Sequence, residues 1–375
     1  MREVLFVSKP VHPPWNDSSK NLVRDLATGL RRSRPIVMTR RGAPPPMDGV
    51  STTAVYGAAA GGFSPALADN ARVLGRLLFG ARPSLWHFFF APNRMSSRAG
   101  RFARTVRRVP VVHTVCSAPR RDVPLEAVLF ADRTVVLSRR TERRFLEAGV
   151  PADRLARIAP AVPPLLPPDA TRRRALRAEL DVPEDAPALL FPGDLEVGEG
   201  ARRCVEALAG LGRADAHLYM ACRPKTARAA EVEGELRALA QRLGVAERVR
   251  WLGQTARIHD WLAIADLVAL PSESLYAKMD YPLVLLEAMS LARPILVTTG
   301  TAAEELAEPL RGEGAGPAVA VEASTEALVS ATRALLDDDS AREVLGERAR
   351  RAASARFGLA VMADAYERLY DALLG

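Results

Sequence analysis

Short apolar runs alternate with amphipathic stretches along the first half of the chain. The runs are continuous and rich in β-branched residues, which is typical of strands buried on both faces of a sheet. The predicted strands are 4–8, 35–39, 52–56, 85–90, 109–115 and 133–138, and the predicted helices are 18–30, 65–80, 94–108 and 139–148. Strands separated by helices in this way indicate a parallel sheet covered by helices.

The second half repeats the pattern after a proline-rich segment. Five prolines within residues 158–168 cannot continue a helix or a central strand, so this segment is predicted to be a linker. The predicted strands are 188–193, 216–222, 249–253, 267–271, 294–299 and 318–322, and the predicted helices are 200–210, 226–243, 257–265, 282–292, 301–310, 324–336, 339–356 and 357–374.

The pattern therefore predicts an α/β protein with two doubly wound, Rossmann-like domains, 1–168 and 169–356. Ligands of such sheets bind at the carboxyl ends of the strands. With two sheets joined by a short linker, we expect those edges to face each other, and the site to lie in the cleft between the domains.

Composition narrows the class of protein. Of the 375 residues, 48% are hydrophobic and 26% are charged, which excludes a wholly disordered chain. There is no long uncharged apolar run and no signal-peptide pattern, so we expect neither a membrane span nor secretion. Three cysteines, Cys116, Cys204 and Cys222, form neither a disulfide framework nor a zinc motif, and a cytoplasmic location is expected.

Charge is divided unequally between the two halves. Residues 1–168 hold 27 basic and 11 acidic residues, a net of +16, whereas residues 169–375 hold 25 and 33, a net of −8. A cationic half suits an anionic partner such as a phosphate or a membrane surface, although a solvated arginine-rich face explains it equally well. Nucleic-acid binding is disfavoured, because no recognition module is visible.

The most informative stretch is LVALPSESLYAKMDYPLVLLEAMSLARPILVTT, residues 267–299. A buried strand ends at Ser272, a polar loop follows, and Pro282 suits the start of the next helix. Glu287 lies within that helix among apolar neighbours. A carboxylate in such a place is usually paired, or accepts hydrogen bonds from a ligand.

The run PLVLLEAMSLARPILVTT resembles the donor-binding segment of family 4 glycosyltransferases, which have the GT-B fold. VRWLG at 249–253 and DWLAIADLVALPS at 260–272 resemble the same family, and the resemblance covers residues 185–375. It implies a retaining, metal-independent hexosyltransferase without a cofactor, in which the departing phosphate serves as the base. It also implies that the final helix, 357–375, crosses back to the first domain.

The resemblance implies that Glu287 binds the ribose of a nucleotide-sugar donor. The chain departs from the family elsewhere. The family's second glutamate is replaced by Met279, and two basic residues that grip the diphosphate are replaced by Asp194 and Glu199. Cations at the end of a neighbouring strand are the expected replacements, because fixed positive charge there stabilises a departing diphosphate. The expected catalytic set is Arg223, Lys225, Lys278 and Asp280.

Further donor contacts are expected from two loops. The first leads into the predicted helix 282–292, which contains Glu287. The second follows the first predicted strand, where the family's glycine-rich turn is missing. The residues are Ser272, Ser274, Tyr276, Pro282 and Leu283 in the first loop, and Ser18, Ser19 and Lys20 in the second. Asp17 or Ser18 would cap the helix that follows. Neither His113, predicted within a strand, nor Cys116 is expected to act as a base.

The predicted function is transfer of a sugar from a nucleotide-diphosphate donor to a small molecule, glycan or lipid-linked sugar. Six arginines between Arg94 and Arg108 lie mostly on one helix face, and some family members dock on anionic membrane with a basic face. That would place the protein at the inner face of the cell membrane. The altered positions also suit a catalytically degenerate nucleotide-sugar-binding protein. The GxGxxG spacing of a dinucleotide enzyme and metal-ligand motifs are missing from the sequence, which disfavours those classes.

Overall fold

The computed structural model describes residues 1–57, 66–120, 122–275 and 278–375, and the chain divides into two compact units. The first unit comprises Met1–Ala161, residues 278–281 and Phe357–Gly375. The second comprises Val162–Leu275 and Pro282–Arg356. The division at Ala161 falls within the proline-rich segment, and the short segment 278–281 groups with the first unit although its neighbours in sequence belong to the second.

The first unit contains a parallel sheet in the order β3-β2-β1-β4-β5-β6-β7. Its strands are β1 (Arg2–Val7), β2 (Ser33–Arg40), β3 (Ser51–Tyr56), β4 (Leu85–Phe90), β5 (Val111–Val115), β6 (Arg133–Val136) and β7 (Leu155–Arg157). Its first five helices are α1 (Ser18–Gly29), α2 (Leu67–Phe79), α3 (Arg94–Arg107), α4 (Leu125–Val128) and α5 (Arg139–Glu147). Continuous apolar strands are buried here because helices cover the sheet.

The second unit contains a parallel sheet in the order β10-β9-β8-β11-β12-β13. Its strands are β8 (Ala188–Phe191), β9 (His217–Met220), β10 (Val249–Trp251), β11 (Leu267–Leu270), β12 (Ile295–Thr298) and β13 (Val319–Val321). Its helices are α6 (Ala170–Glu179), α7 (Gly200–Gly210), α8 (Ala229–Arg242), α9 (Ile258–Ile264), α10 (Leu283–Ser290), α11 (Thr325–Leu336) and α12 (Asp339–Phe357).

The last helix, α13 (Leu359–Leu374), belongs to the first unit and packs against α1. Gly358 separates it from α12. Two buried tyrosines secure it beneath the sheet: Tyr370 Oη lies 2.6 Å from His87 Nδ1, and Tyr366 Oη lies 2.8 Å from Thr114 Oγ1. Glu367, 3% exposed, accepts hydrogen bonds from the backbone N–H groups of Arg31 and Ser33, at the start of β2. Neutral hydrogen bonds and one buried carboxylate thus attach α13 to this unit.

The predicted elements differ from the structure at several places, and the short helix α4 (Leu125–Val128) is one that was not predicted. The sheet of the first unit has a seventh strand, β7, which is too short to form an apolar run. Helix α6 was not predicted, because its sequence ATRRRALRAE follows prolines and is half charged. The predicted helix 301–310 is a 3-10 helix over Ala302–Ala307, and the last helix begins after Gly358 rather than at residue 357.

Each sheet has one point where the strand order reverses direction. This point lies between β1 and β4 in the first unit and between β8 and β11 in the second. Loops that leave adjacent strands in opposite directions open a crevice there, and the crevice is the usual ligand site of doubly wound sheets. Several predicted site residues lie in the segment that follows β11, and Arg223 and Lys225 lie in the loop after β9.

Candidate functional site

The crevice of the second unit lies between the loops that follow β8 and β11. Ser272, which comes directly after β11, is 2% exposed and lies against Gly200 at the start of α7. A Cβ atom on Gly200 would approach Ser272 Oγ to 2.2 Å, so only glycine allows this contact. Close packing therefore fixes the two loops relative to each other within this unit.

Asp194, in the loop after β8, forms an ion pair with Lys225, in the loop after β9. Asp194 Oδ2 lies 2.7 Å from Lys225 Nζ, and the two side chains are 4% and 10% exposed. From the sequence, Asp194 stands where the family has a phosphate-binding cation, and Lys225 is the expected replacement. In the structure, the lysine expected to supply that charge is paired with Asp194 itself.

Glu196 fixes the backbone of the same lysine. Its Oε1 accepts hydrogen bonds from the N–H groups of Lys225, at 3.0 Å, and Thr226, at 2.9 Å. The loop after β8 therefore holds Lys225 at its backbone and at its ammonium group. Arg223, two residues earlier, is half-buried just beyond the end of β9.

Glu273 joins the loop after β11 to the start of α7. Its carboxylate accepts the N–H of Glu199 at 3.1 Å and a hydrogen bond from Arg203 Nη1 at 2.5 Å. Burial raises the pKa of Glu273, but these hydrogen bonds, led by that from Arg203, outweigh burial, and the net pKa lies below its usual value. Ser274 follows as a half-buried residue of the same loop.

Glu287 lies in the second turn of α10, a helix in which every residue except Val284 and Glu287 is buried. Its side chain is 12% exposed, and Oε1 lies 3.4 Å from Nε2 of His259 on α9. Pro282, Leu283 and Met279 are buried, and Pro282 occupies the position just before the first residue of α10, where its missing N–H is harmless. A carboxylate at this place has a partner and keeps contact with solvent.

Lys278 and Asp280 lie in the first unit. Asp280 Oδ2 accepts a hydrogen bond of 2.6 Å from Ser138 Oγ, which stands at the carboxyl end of β6 and caps α5. Tyr281 packs edge-to-face on Phe357, with ring centroids 5.6 Å apart. Segment 278–281 is therefore anchored on this unit by Asp280 and Tyr281. Tyr276 lies outside the described residues.

Polar residues of the loop after β1 form hydrogen bonds and an ion pair with one another and with the start of α1. Asp17 caps α1 by accepting the N–H groups of Ser19 and Lys20, and it forms an ion pair with Lys9 at 3.2 Å. Lys20 Nζ donates to the carbonyl groups of His12 and Pro14, each at 3.1 Å. Ser18 begins α1, so the cap is Asp17 rather than Ser18.

Two residues considered as bases lie in the interior. His113, on β5, is fully buried, and burial lowers its pKa to about 4. Burial likewise raises the pKa of the Cys116 thiol to about 12. Neither group is therefore suited to accept a proton from a substrate at neutral pH.

The basic helix α3 is partly structural. Arg101 and Arg107 donate to backbone carbonyls of neighbouring segments, and Arg104 pairs with Asp132. The remaining arginines of the set, Arg94, Arg98 and Arg108, are exposed.

Neither a metal-binding cluster nor a membrane-spanning helix is found in residues 1–57, 66–120, 122–275 and 278–375. Within them, no three His, Cys, Asp or Glu side chains come together in a way that could hold a metal ion. The helices described there include none that is both long and apolar enough to cross a bilayer.

The sequence did not indicate several residues that contact the candidate site, namely Arg203, Glu196, Ser138 and His259. Each acquires its place through a contact distant in sequence, such as that of His259 with Glu287. A signal existed only for Arg203, which follows Glu199 at helical spacing and so lies over the first turn of α7.

Comparison with known sequences shows that this chain is similar to glycosyltransferases. A family model described as "Glycosyl transferases group 1" matches residues 186–338. A D-inositol 3-phosphate glycosyltransferase of Xylanimonas cellulosilytica is 32% identical over 308 residues, covering 72% of this chain and 69% of that protein. A protein of the same name from Kineococcus radiotolerans is 29% identical over 259 residues, covering 65% of this chain and 58% of its own length.

A solved structure shares the fold over its whole length. Anabaena Alr3699/HepE, solved in complex with UDP and glucose, superposes with a TM-score of 0.78 at 19% identity and covers 100% of both chains. At that level of identity the likeness concerns the fold alone, which is of the GT-B type.

Proposed function

Because this chain belongs to the group 1 glycosyltransferases, we propose that it transfers a sugar from a nucleoside-diphosphate donor to an acceptor, with retention of anomeric configuration and without a metal ion. The proposal assigns the donor to the crevice between β8 and β11 of the second unit. The observation that carries it is Glu287, a mostly buried carboxylate on α10 in the segment that most resembles family 4.

The chemistry of this carboxylate suits a ribose. A carboxylate has two oxygens and can accept hydrogen bonds from two adjacent hydroxyl groups at once. Being 12% exposed, Glu287 remains accessible to a ligand, and His259 stands beside it as a further hydrogen-bonding group. The family's ribose role is therefore proposed for Glu287, with Ser272, Ser274 and Leu283 around the donor.

The proposed diphosphate ligands are Arg223 and Lys225. Both lie in the loop that connects β9 to α8. Positive charge fixed at this edge would stabilise the diphosphate as negative charge grows on it during bond cleavage. Lys278 and Asp280 are proposed to act from the first unit, and so are Ser18, Ser19 and Lys20.

The proposed acceptor carries a phosphate group. The named relatives are D-inositol 3-phosphate glycosyltransferases, and residues 1–168 carry a net charge of +16, which would attract an anionic acceptor. D-inositol 3-phosphate is therefore the first acceptor to test.

The decisive experiment is a thermal-shift panel with UDP, GDP, ADP, dTDP and CDP in the absence of metal, with NAD as a control. A ligand that binds only the folded state raises the melting temperature by mass action. One diphosphate should stabilise the wild type, and Glu287→Gln should abolish that shift, while Glu235→Gln, on the exposed face of α8, should retain it. Unchanged shifts in both variants would refute the ribose assignment.

Turnover separates an enzyme from the alternative, a nucleotide-sugar-binding protein without activity. That alternative is favoured by the carboxylates Asp194 and Glu199 at the positions of phosphate-binding cations. Radiolabelled UDP-glucose, GDP-mannose and ADP-glucose, each incubated with D-inositol 3-phosphate, would be assayed for transfer. Donor binding without transfer, even after a wide acceptor screen, would favour the alternative.

Peripheral attachment to an anionic membrane, from the cytoplasmic side, is a second part of the proposal. Helix α3 presents Met95, Phe102 and Val106, which are 63%, 56% and 55% exposed, beside Arg94 and Arg98. Phe79, at the end of the adjacent helix α2, is 86% exposed. Exposed aromatic and basic residues on one surface suit a charged lipid interface.

Cosedimentation with lipid vesicles tests this attachment. The wild type should bind phosphatidylglycerol vesicles better than phosphatidylcholine vesicles, and Phe102→Asp should bind less. Val344→Asp is the matched control, because Val344 is 46% exposed but lies on α12 of the second unit. Equal binding by both variants would argue against an α3 contact.

A further inference from the structure

The ion pair between Asp194 and Lys225 is unfavourable for the diphosphate binding proposed for the lysine. An ammonium group that binds a diphosphate is ordinarily presented without a competing carboxylate, yet here a carboxylate oxygen lies 2.7 Å from it. Both groups are largely removed from water, at 4% and 10% exposure, so their charges are weakly screened. The pair therefore has much less positive charge to offer than a single lysine.

The turn that places Asp194 depends on a glycine. Gly193 lies between β8 and Asp194, and a Cβ atom there would meet the Phe191 ring at 2.1 Å. The chain can thus turn sharply at the carboxyl end of β8, which is one side of the crevice. Asp194 lies at the edge where the proposed diphosphate would bind.

Lys225 does not depend on Asp194 alone for its position. Glu196 Oε1 accepts the N–H groups of Lys225 and Thr226 at 3.0 and 2.9 Å. These two hydrogen bonds fix the backbone from which the lysine side chain extends. Removing the charge of Asp194 would therefore change the charge at this edge more than it changes the place of the lysine.

We propose that Asp194 sets the affinity of the site for diphosphate: it offsets the charge of Lys225 and so favours release of the nucleoside diphosphate product. A carboxylate beside a phosphate is a contact between like charges and weakens binding. The inference rests on the proposed function, because it assumes that the diphosphate of the donor lies at this edge. It makes Asp194 a residue that sets the affinity for diphosphate, not a remnant of a lost phosphate site.

The alternative is that the pair only stabilises the fold. A purely structural pair predicts that Asp194→Asn lowers stability without changing the affinity for diphosphate. The proposal predicts tighter binding in the same variant, so the sign of the change in affinity separates the two. Asparagine has nearly the same shape as aspartate, which keeps the packing around Gly193 intact.

The test is titration calorimetry of UDP, GDP, ADP, dTDP, CDP and inorganic pyrophosphate into four proteins: the wild type, Asp194→Asn, Lys225→Met and Asp215→Asn. Asp215 is the matched control, since it pairs with Arg213 before the amino end of β9, at the opposite edge of the sheet. Asp194→Asn should bind the diphosphate about tenfold more tightly at low salt. Lys225→Met should bind more weakly, and Asp215→Asn should match the wild type.

Kinetics and salt sharpen the test. With tighter product binding, Asp194→Asn should show stronger inhibition by the nucleoside diphosphate and a lower kcat. The gain in affinity should largely persist in 0.5 M NaCl, because charges that are mostly removed from water are screened less than exposed ones. Equal or weaker binding by folded Asp194→Asn, with wild-type binding intact, would overturn this inference and leave the proposed function standing.

Folding of the variant is a separate risk, because a buried ammonium group without its carboxylate is destabilising. The double variant Asp194→Asn with Lys225→Met carries no charge at either position, and it should bind more tightly than Lys225→Met alone. Equal affinities in that comparison would also overturn the inference. If neither the wild type nor any Asp194→Asn protein binds any diphosphate, both the inference and the proposed function fail.

Discussion

The interior of the first unit and the carboxyl edge of the second unit both hold buried polar groups, but they hold them differently. In the first unit, His87, Thr114, Tyr366 and Tyr370 form a neutral network with no exposed member. At the edge of the second unit, Asp194 is paired with Lys225 and Glu273 with Arg203, and one or both partners reach solvent.

This contrast separates stability from ligand binding. Neutral buried hydrogen bonds specify one packing arrangement and have little to offer a charged ligand. Ion pairs at a solvent-accessible edge contribute little net stability, because desolvation offsets their attraction. Substitutions in the network should therefore change the free energy of unfolding without changing ligand binding, whereas substitutions at the edge should change ligand binding as well as stability.

The largest effect is expected where the network adjoins a buried charge. Glu367 accepts the N–H groups of Arg31 at 2.8 Å and Ser33 at 3.1 Å, and pairs with Arg32. Glu367→Ala would leave these donors without acceptors, and since each unsatisfied buried group costs about 1–3 kcal/mol, we expect a loss of about 3–5 kcal/mol in stability. Chemical denaturation would measure it.

The control for that variant lies one helical turn earlier. Asp364→Ala changes an exposed carboxylate on the same helix and should alter stability by less than about 0.5 kcal/mol. Equal losses in the two variants would mean that the acceptor role of Glu367 does not hold α13 in place.

A second effect concerns the response of the first unit to acid. Burial lowers the pKa of His113 from 6.5 to about 4, and burial also lowers the pKa of His87, with His113 adding to the effect. The unfolded chain therefore binds these protons at a higher pH than the folded chain. Their contribution to stability is complete above pH 6.5 and is lost as the pH falls towards 4.

Replacing the histidine tests this directly. His113→Phe cannot titrate, so its stability should fall less than that of the wild type between pH 7 and 4, with a difference approaching about 3 kcal/mol for the shift of His113. Thermal melts across that range would measure it. Parallel pH profiles for the two proteins would show that acid acts through other groups.

A third effect should appear at the edge of the second unit. Gly200→Ala places a Cβ within 2.2 Å of Ser272 Oγ and 3.2 Å of its backbone nitrogen, so the loop after β11 must shift. Overpacking of this kind costs about 1–3 kcal/mol. We expect the diphosphate-induced thermal shift to fall as well, because the displaced loop lines the crevice.

Gly234→Ala is the matched control. Gly234 is exposed within α8, and nothing lies within 4 Å of an added Cβ. Alanine favours a helix interior over glycine by about 1 kcal/mol, so this variant should be slightly more stable and bind ligand normally. Normal binding in Gly200→Ala as well would mean that the close contact with Ser272 plays no part in the site.

The two regions also differ in how far their sequence predicts them. The strands of both sheets were predictable, since continuous apolar runs such as that over Leu85–Phe90 have few alternatives. The cap of α1 was predictable from its position as Asp17 or Ser18, and the structure shows Asp17. Strand β7 was not predictable, because Leu155–Arg157 is short and partly exposed. It is a strand because it pairs with β6, and its own sequence has no strand pattern.

The candidate site depends on contacts between segments distant in the chain. That Asp194 and Lys225 follow adjacent strands is a consequence of strand order, which the local pattern leaves open. The grouping of Asp280 with Ser138, 142 residues away in the chain, is a packing outcome with no local signal. Residue types at strand ends were thus predictable as candidates, whereas their partners were not.

The smallest effect should occur at Ser138, at the carboxyl edge of the first unit. Its hydroxyl accepts the N–H of Thr141 at 3.1 Å and donates to Asp280 at 2.6 Å. Ser138→Ala removes a helix cap as well as the anchor of segment 278–281, at a cost of about 1 kcal/mol. Ser138→Thr keeps the hydroxyl and should recover most of that loss, because a threonine oxygen caps almost as well.

Asp280→Asn retains an acceptor oxygen and should destabilise less than Ser138→Ala. A larger loss from Asp280→Asn, measured by the same thermal melts, would show that this edge depends on charge, as the edge of the second unit does.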